Sequence, residues 1–157
     1  MIPQGEGIKL PKLNLPEIEP RLSQREGRLW VFDILRKKDL VLTPEEWVRQ
    51  HWISFLIKEQ SYPKGLLSIE KGLKYNQLQK RTDLLVYNKS GNVHLLIECK
   101  APNVSLSQKT VEQACLYHSQ LQSEYLILSN GMNHLCLQWI LDEKRFEQIK
   151  SFPPIPN

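Results

Sequence analysis

The chain has 157 residues, of which 41% are hydrophobic and 24% are charged, and its formal net charge is +4. These values are typical of one soluble globular domain. No apolar run is long enough to span a bilayer, and the first residues lack the apolar segment of a signal peptide, so we expect a cytoplasmic location without membrane contact. The modest positive charge is compatible with a polyanionic partner but does not indicate one by itself.

Several common classes of site are absent from the sequence. The three cysteines, Cys99, Cys115 and Cys136, are widely spaced and form no CxxC pair or zinc pattern with histidines, so we expect reduced thiols. The chain contains no GxxxxGK[ST], GxSxG, HExxH or GxGxxG sequence. These absences exclude an ATP motor within these residues, and they argue against serine hydrolase, zinc protease and dinucleotide-binding sites of the usual kind.

The chain divides into an N-terminal arm, a domain and a short tail. Residues 1–27 carry four spaced prolines, which prevent a helix, so we predict an extended arm that packs late or not at all. Residues 28–150 form the predicted domain, which begins with two short strands around a turn at 37–39. Residues 151–157 form an irregular tail. No internal repeat is present.

Residues 43–60 are predicted to form the first helix. Thr43 fits the N-cap position, Pro44 the first helical position and Glu46 the third, which together make a capping box. Pro63 marks the latest possible end of this helix. Apolar residues at helical spacing form its predicted inner face: Val48, Trp52, Phe55 and Leu56.

Strands and a second helix follow in an order that predicts the fold. Three strand-like segments span residues 66–76, 81–88 and 93–100, and a helix with Val111, Ala114, Cys115 and His118 on its inner face follows. Residues 124–131 form a fully apolar strand, and 134–149 read as one more strand that runs into charged residues. The helical crossover allows the strand after it to lie parallel to its neighbour. We therefore predict an α/β fold, a mixed β-sheet flanked by helices on both faces.

Three charged residues mark a candidate site: Asp83, Glu98 and Lys100. Residues two apart on a strand share a face, so Glu98 and Lys100 should project together, with Cys99 on the other side. A short loop joins the two strands, which brings the start of one near the end of the next and so draws Asp83 towards Glu98. Each residue alone could be an ordinary polar group at a strand end, but the combination favours a site for a hard divalent cation.

The segment Thr82-Asp83 … Glu98-Cys99-Lys100 resembles the signature of the PD-(D/E)xK nuclease superfamily, with threonine in place of proline. Four segments, in order, are similar to the N-terminal nuclease domain of type I restriction enzyme R subunits, and more closely to short stand-alone bacterial proteins that share it: VLTPEEWVRQHWISFLI, RTDLLVY, LLIECKAP and VEQACLYHSQL. The resemblance implies a restriction-endonuclease-like fold and Mg²⁺-dependent cleavage of DNA, with Mn²⁺ as a possible substitute.

The resemblance also implies roles at matching positions. Asp83 and Glu98 would ligate the metal together with the carbonyl of Cys99, while Lys100 would position the attacking water or stabilise the charged phosphorane. Glu46 matches an acidic residue that often completes the metal shell, although its place in the capping box explains it equally.

Gln113 matches a glutamine beside the site, and a solvated helix position is an equal alternative for it. Four basic residues upstream of Asp83 could contact phosphates: Lys71, Lys74, Lys80 and Arg81. The sequence thus predicts a Mg²⁺-dependent DNA endonuclease that lacks the ATP motor, with DNA and other restriction or repair subunits as expected partners. The alternative is a DNA- or protein-binding module that keeps the nuclease fold but has little cleavage activity.

Overall fold

Two β-sheets and two α-helices make up the fold. The computed structural model describes residues 10–71, 82–119 and 122–157, with Lys71, Thr82 and Asp83 described by their backbone only. The elements in chain order are strands β1 (Leu22–Arg25), β2 (Arg28–Asp33) and β3 (Lys38–Val41), helix α1 (Pro44–Ser54), strands β4 (Leu67–Lys71), β5 (Thr82–Tyr87) and β6 (Val93–Cys99), helix α2 (Gln108–His118), and strands β7 (Tyr125–Ser129), β8 (His134–Ile140) and β9 (Arg145–Ile149).

The first sheet is antiparallel, with β2 paired to both β1 and β3. The two strands predicted between residues 28 and 42 are therefore confirmed, but the turn between them lies at 34–37 and not at 37–39. The prediction that the N-terminal arm packs late or not at all is wrong for the part that the structure describes. Strand β1 lies within this arm, and Leu13 is only 5% exposed. Prolines exclude a helix there, but an extended chain can still pair with a strand or pack against the core.

Helix α1 begins as predicted. The hydroxyl oxygen of Thr43 accepts a hydrogen bond of 3.1 Å from the backbone N–H of Glu46, which is the N-cap interaction. The reciprocal half of the capping box is missing, since the N–H of Thr43 donates instead to the carbonyl of Val41. A π-helical turn at Phe55–Glu59 extends the helix, which ends before Pro63 as expected.

The second sheet has six strands in the order β4-β5-β6-β7-β8-β9. Strands β6 and β7 are parallel and all the other neighbours are antiparallel, which confirms that α2 is a crossover connection. The prediction of a single strand over 134–149 is wrong, because a turn at 141–144 separates β8 from β9. Lys144 has a φ of 51° in this turn, a local conformation that the charged sequence did not signal.

Each face of the six-stranded sheet is covered by one helix. Val48 and Trp52 of α1 pack with Ile97 on one face, whereas Cys115 of α2 packs with Leu96 on the other. The alternation along β6 therefore separates the two apolar layers. The predicted α/β class, a mixed sheet flanked by helices in one small domain, is confirmed. In the described part of the chain, no helix combines the length and apolar character needed to cross a bilayer.

A buried ionic cluster joins the first sheet to α1. The carboxylate of Asp33, 0% exposed, accepts hydrogen bonds from Arg36 and Gln50 at 2.8 and 2.7 Å. Glu46 accepts from Arg36 and Arg49, both at 2.8 Å. Burial alone would raise the pKa of Asp33, but hydrogen bonds from Arg36 and Gln50 and the charge of Arg36 lower it below its ordinary value.

Replacing Asp33 by asparagine should lower the free energy of unfolding by about 1–3 kcal/mol at pH 7, because a charge-assisted hydrogen-bond acceptor is lost. The pKa of Asp33 is lower in the folded state, so its contribution is complete above the unfolded pKa of about 3.9 and disappears as pH falls through the folded value. Urea denaturation at pH 7 and pH 3 tests this, and the difference in free energy of unfolding between the two proteins should be smaller at pH 3. Asp39→Asn, at an exposed ion pair with Arg25, is the matched control and should change stability by less than about 1 kcal/mol.

Candidate active site

Glu98 lies one residue before the end of β6 and is 5% exposed. Glu98 is two residues after Leu96 on the same strand, so its side chain points to the face of the sheet that α2 covers. Its Oε2 atom is 3.8 Å from Nζ of Lys100, and the backbone N–H of Lys100 donates to the carbonyl of Ser129 on β7 at 2.7 Å. Cys99 packs in the core on the opposite face. The prediction that Glu98 and Lys100 project together, away from Cys99, is confirmed.

Asp83 is placed by its backbone in β5. The register pairs Leu84 of β5 with Ile97 of β6, so the positions of Asp83 and Glu98 are next to each other across the two strands. The side chain of Asp83 lies outside the described atoms. The convergence of the two carboxylates therefore stays a prediction, which this register supports.

The basic residues predicted to contact phosphates also fall outside the described part. Lys74, Lys80 and Arg81 are not among the described residues, and Lys71 is described by its backbone only. Their proposed contacts with DNA stay predictions.

His118, at the last position of α2, is a site residue whose role the sequence did not reveal. Its ring is 0% exposed, and its Nε2 atom is 3.2 Å from Oε1 of Glu98. A carboxylate oxygen accepts, so Nε2 carries the proton and donates. The other ring nitrogen, Nδ1, is buried without a hydrogen-bond partner among the described residues. The only sequence signal was its predicted place on the inner face of α2, which is confirmed.

Cys115 lies one turn before His118 on the same helix and is affected by the same carboxylate. Burial, and then the negative charges of Glu112 and Glu98, raise the pKa of its thiol. The thiol is therefore protonated at neutral pH and is not a thiolate nucleophile. All three cysteines are free thiols, as expected.

The structure gives less direct evidence on the predicted site roles of Glu46 and Gln113. The two carboxylate oxygens of Glu46 accept from Arg36 and Arg49, and these ion pairs explain its burial without a metal. Gln113 is exposed on α2, one position before the buried Ala114. The structure gives Glu46 a role in joining the first sheet to α1, and the metal role of Glu46 and the site role of Gln113 stay predictions.

The donors present suit a hard cation. The carboxylate of Glu98 and the backbone carbonyl of Cys99 are oxygen donors of the kind that Mg²⁺ prefers, since it keeps several waters and takes few protein ligands. Among the residues with described side chains, no three histidine, cysteine or acidic groups are placed to hold a metal ion. The side chain of Asp83 is outside that set. The fit of this site to Mg²⁺ therefore depends on the oxygen donors at Glu98 and Cys99 and on the strand register, which sets the backbone of Asp83 next to that of Glu98.

A comparison with known families identifies a match. The model of the family described as the type I restriction enzyme R protein N terminus matches residues 44–153, which is more than half of the chain. The matched range begins at α1, includes every predicted site residue, and leaves the first sheet outside. No curated protein matches the chain.

Proposed function

We propose, from the premise that this chain belongs to the family of type I restriction enzyme R protein N termini, that it is a Mg²⁺-dependent DNA endonuclease. Family membership places it among restriction-related proteins. The observation that carries the finer proposal is the buried Glu98, which lies beside Lys100 at the end of a central strand and across from the position of Asp83. A carboxylate is costly to bury at the end of so apolar a strand, so a function explains the burial of Glu98 best.

Each residue of the proposed site has a distinct part in this chemistry. Asp83, Glu98 and the carbonyl of Cys99 would hold Mg²⁺, which when bound neutralises phosphate charge and acidifies a water. His118 donates to Oε1 of Glu98 and so fixes the orientation of the carboxylate. Lys100 is 29% exposed, so its ammonium can meet a phosphate oxygen while it remains near Oε2 of Glu98.

A binding module with the nuclease fold is the second candidate. Two observations favour it: the ion pairs of Glu46 need no metal, and the contacts of Glu98 with His118 and Lys100 partly compensate its burial. Such a protein would bind DNA, or another subunit of a restriction or repair system, without cutting.

Cleavage of supercoiled plasmid by the purified protein separates the two candidates. We expect nicked and linear DNA with Mg²⁺ or Mn²⁺ and intact DNA with chelator, and Glu98→Gln, purified in parallel, controls for contaminating nucleases. DNA binding is measured on the same preparations with chelator. Salt-dependent binding by a wild-type protein that never cleaves with either metal would refute the nuclease proposal and support the binding module.

We expect His118 to increase metal affinity through its hydrogen bond to Glu98. We expect His118→Leu to weaken Mn²⁺ binding by about 10–100-fold, the scale for losing a group that orients a metal ligand. His118→Gln should restore most of the affinity, because the glutamine Nε2 can donate where the imidazole Nε2 does.

Isothermal titration with Mn²⁺ in the absence of DNA measures this effect directly. His51→Leu is the matched control: His51 is also buried, and its Nδ1 is bonded to the carbonyl of Trp47 within α1. Equal affinities of the leucine and glutamine variants of His118 would show that the imidazole only fills space.

A further inference from the structure

The outer face of the first sheet is rich in arginine and aromatic side chains. Strand alternation directs Leu29, Val31 and Asp33 of β2 inwards, where all three are buried. The alternate residues of β2, the facing positions of β1, and Arg21, which precedes β1 and accepts a backbone hydrogen bond from Phe32, lie on the outer surface. We call this surface the basic face and define it by five residues: Arg21, Arg25, Arg28, Trp30 and Phe32.

Two of these arginines lie over aromatic rings. The guanidinium of Arg21 is 5.0 Å from the ring centroid of Phe32, and that of Arg25 is 5.0 Å from the centroid of Trp30. Both distances are in the range of cation–π contacts. A cation–π contact restricts the arginine side chain, and the planar guanidinium carries N–H donors that suit bidentate contact with phosphate.

The charges on this surface are poorly balanced by the protein itself. Arg25 and Arg28 are direct partners across β1 and β2, and like charges in that position are destabilising. Asp39 forms an ion pair with Arg25, while Asp33 is buried on the other face. The five residues of the basic face carry three positive charges, and Asp39 pairs with one of them, Arg25.

We infer that the basic face binds the phosphodiester backbone of DNA. A polyanion would weaken the repulsion between Arg25 and Arg28, and arginines neutralise phosphates and can contact them bidentately. The face lies outside residues 44–153, so it adds a contact surface to the part of the chain that the family model matches. The inference rests on the proposed function only for the choice of DNA as the polyanion.

The test compares two variants that each lose two positive charges. Arg21→Gln/Arg28→Gln changes the basic face and leaves the pair of Arg25 and Asp39 intact. Lys89→Gln/Lys150→Gln is the control, since both lysines are exposed and lie outside the basic face. Anisotropy titrations with labelled duplex and single-stranded DNA at several salt concentrations, all with chelator, give the slope of log K against log salt.

The arginine variant should bind more weakly, and its slope should fall by about 1.8 on duplex or about 1.4 on single strands if each arginine neutralises one phosphate. The larger loss of affinity identifies the preferred form of DNA. The lysine variant should keep the wild-type slope. Equal slopes for the arginine variant and the wild type would overturn the inference.

Thermal unfolding without DNA supplies an independent measurement. Arg28→Gln should leave the melting temperature unchanged or raise it slightly, because a like-charge opposition is removed. A clear decrease would show that Arg28 serves the fold, and would count against the basic face.

The two proposals fail in different ways. If the wild type binds DNA through these arginines and never cleaves it, the nuclease proposal is refuted and DNA binding by the basic face is supported. If the wild type cleaves DNA and the arginine variant binds DNA with the wild-type salt dependence, the nuclease proposal is supported and DNA binding by the basic face is refuted.

Discussion

Replacing Glu98 by glutamine is expected to abolish metal-dependent DNA cleavage, with a loss of at least about 10²–10³-fold, the scale for removing a charge that stabilises the transition state. Glutamine keeps the size and one oxygen of the side chain but removes the formal charge that a hard cation requires. Single-turnover cleavage of a short labelled duplex measures the loss, and calorimetric titration with Mn²⁺ measures the accompanying loss of metal affinity.

The substitution should leave the fold intact, because the remaining oxygen of glutamine can still accept from Nε2 of His118. Glu112→Gln, a change of the same charge at an exposed position of α2, is the control and should cut like the wild type. Asp83→Asn should reproduce the loss. DNA binding with chelator should be retained in Glu98→Gln. Wild-type cleavage by Glu98→Gln would refute the proposed mechanism.

Replacing Lys100 by alanine is expected to slow cleavage by roughly 10²-fold or more while metal binding is retained. The ammonium is near Oε2 of Glu98 but is not a metal ligand, so its loss removes charge at the reacting phosphate and leaves the oxygen donors in place. The side chain is 29% exposed, so the fold should tolerate the change. Cleavage rate and Mn²⁺ affinity, measured on the same preparation, separate the two effects.

Lys109→Ala, on the exposed side of α2, controls for the loss of one positive charge near the DNA. A Lys100→Ala protein that loses metal affinity in the same proportion as cleavage would show that Lys100 acts only by keeping Glu98 ionised and in place. Unchanged cleavage would remove Lys100 from the mechanism.

The sequence by itself determined the elements whose signals are local. The N-cap at Thr43 depends on residues within one helical turn, and the structure has it as predicted. The alternation of Leu96, Glu98 and Lys100 depends only on the pleat of a strand, and it correctly separated Cys99 from the two charged side chains. The parallel pairing of β6 and β7 followed from the helical connection between them.

Only the tertiary structure decided which distant residues meet. His118 is twenty positions from Glu98, and their contact depends on how α2 packs across the sheet, which no local pattern encodes. The arginine partners of Glu46 come partly from a turn that precedes α1, so its position in a capping box did not reveal them. Hydrogen bonds and charge pairs between separate elements depend on the packed geometry of the whole domain.

The same limit explains the errors at the two ends of the chain. The prolines of the N-terminal arm excluded a helix, but whether an extended segment pairs with a strand depends on a neighbour that the local sequence does not name. The turn between β8 and β9 is formed by charged residues with no glycine or proline at its centre, so it carried no strong turn signal. The local sequence determined where α1 begins and which side chains of β6 share a face. Packing between distant segments decided which strands form the edges of the sheets and which residues contact Glu98.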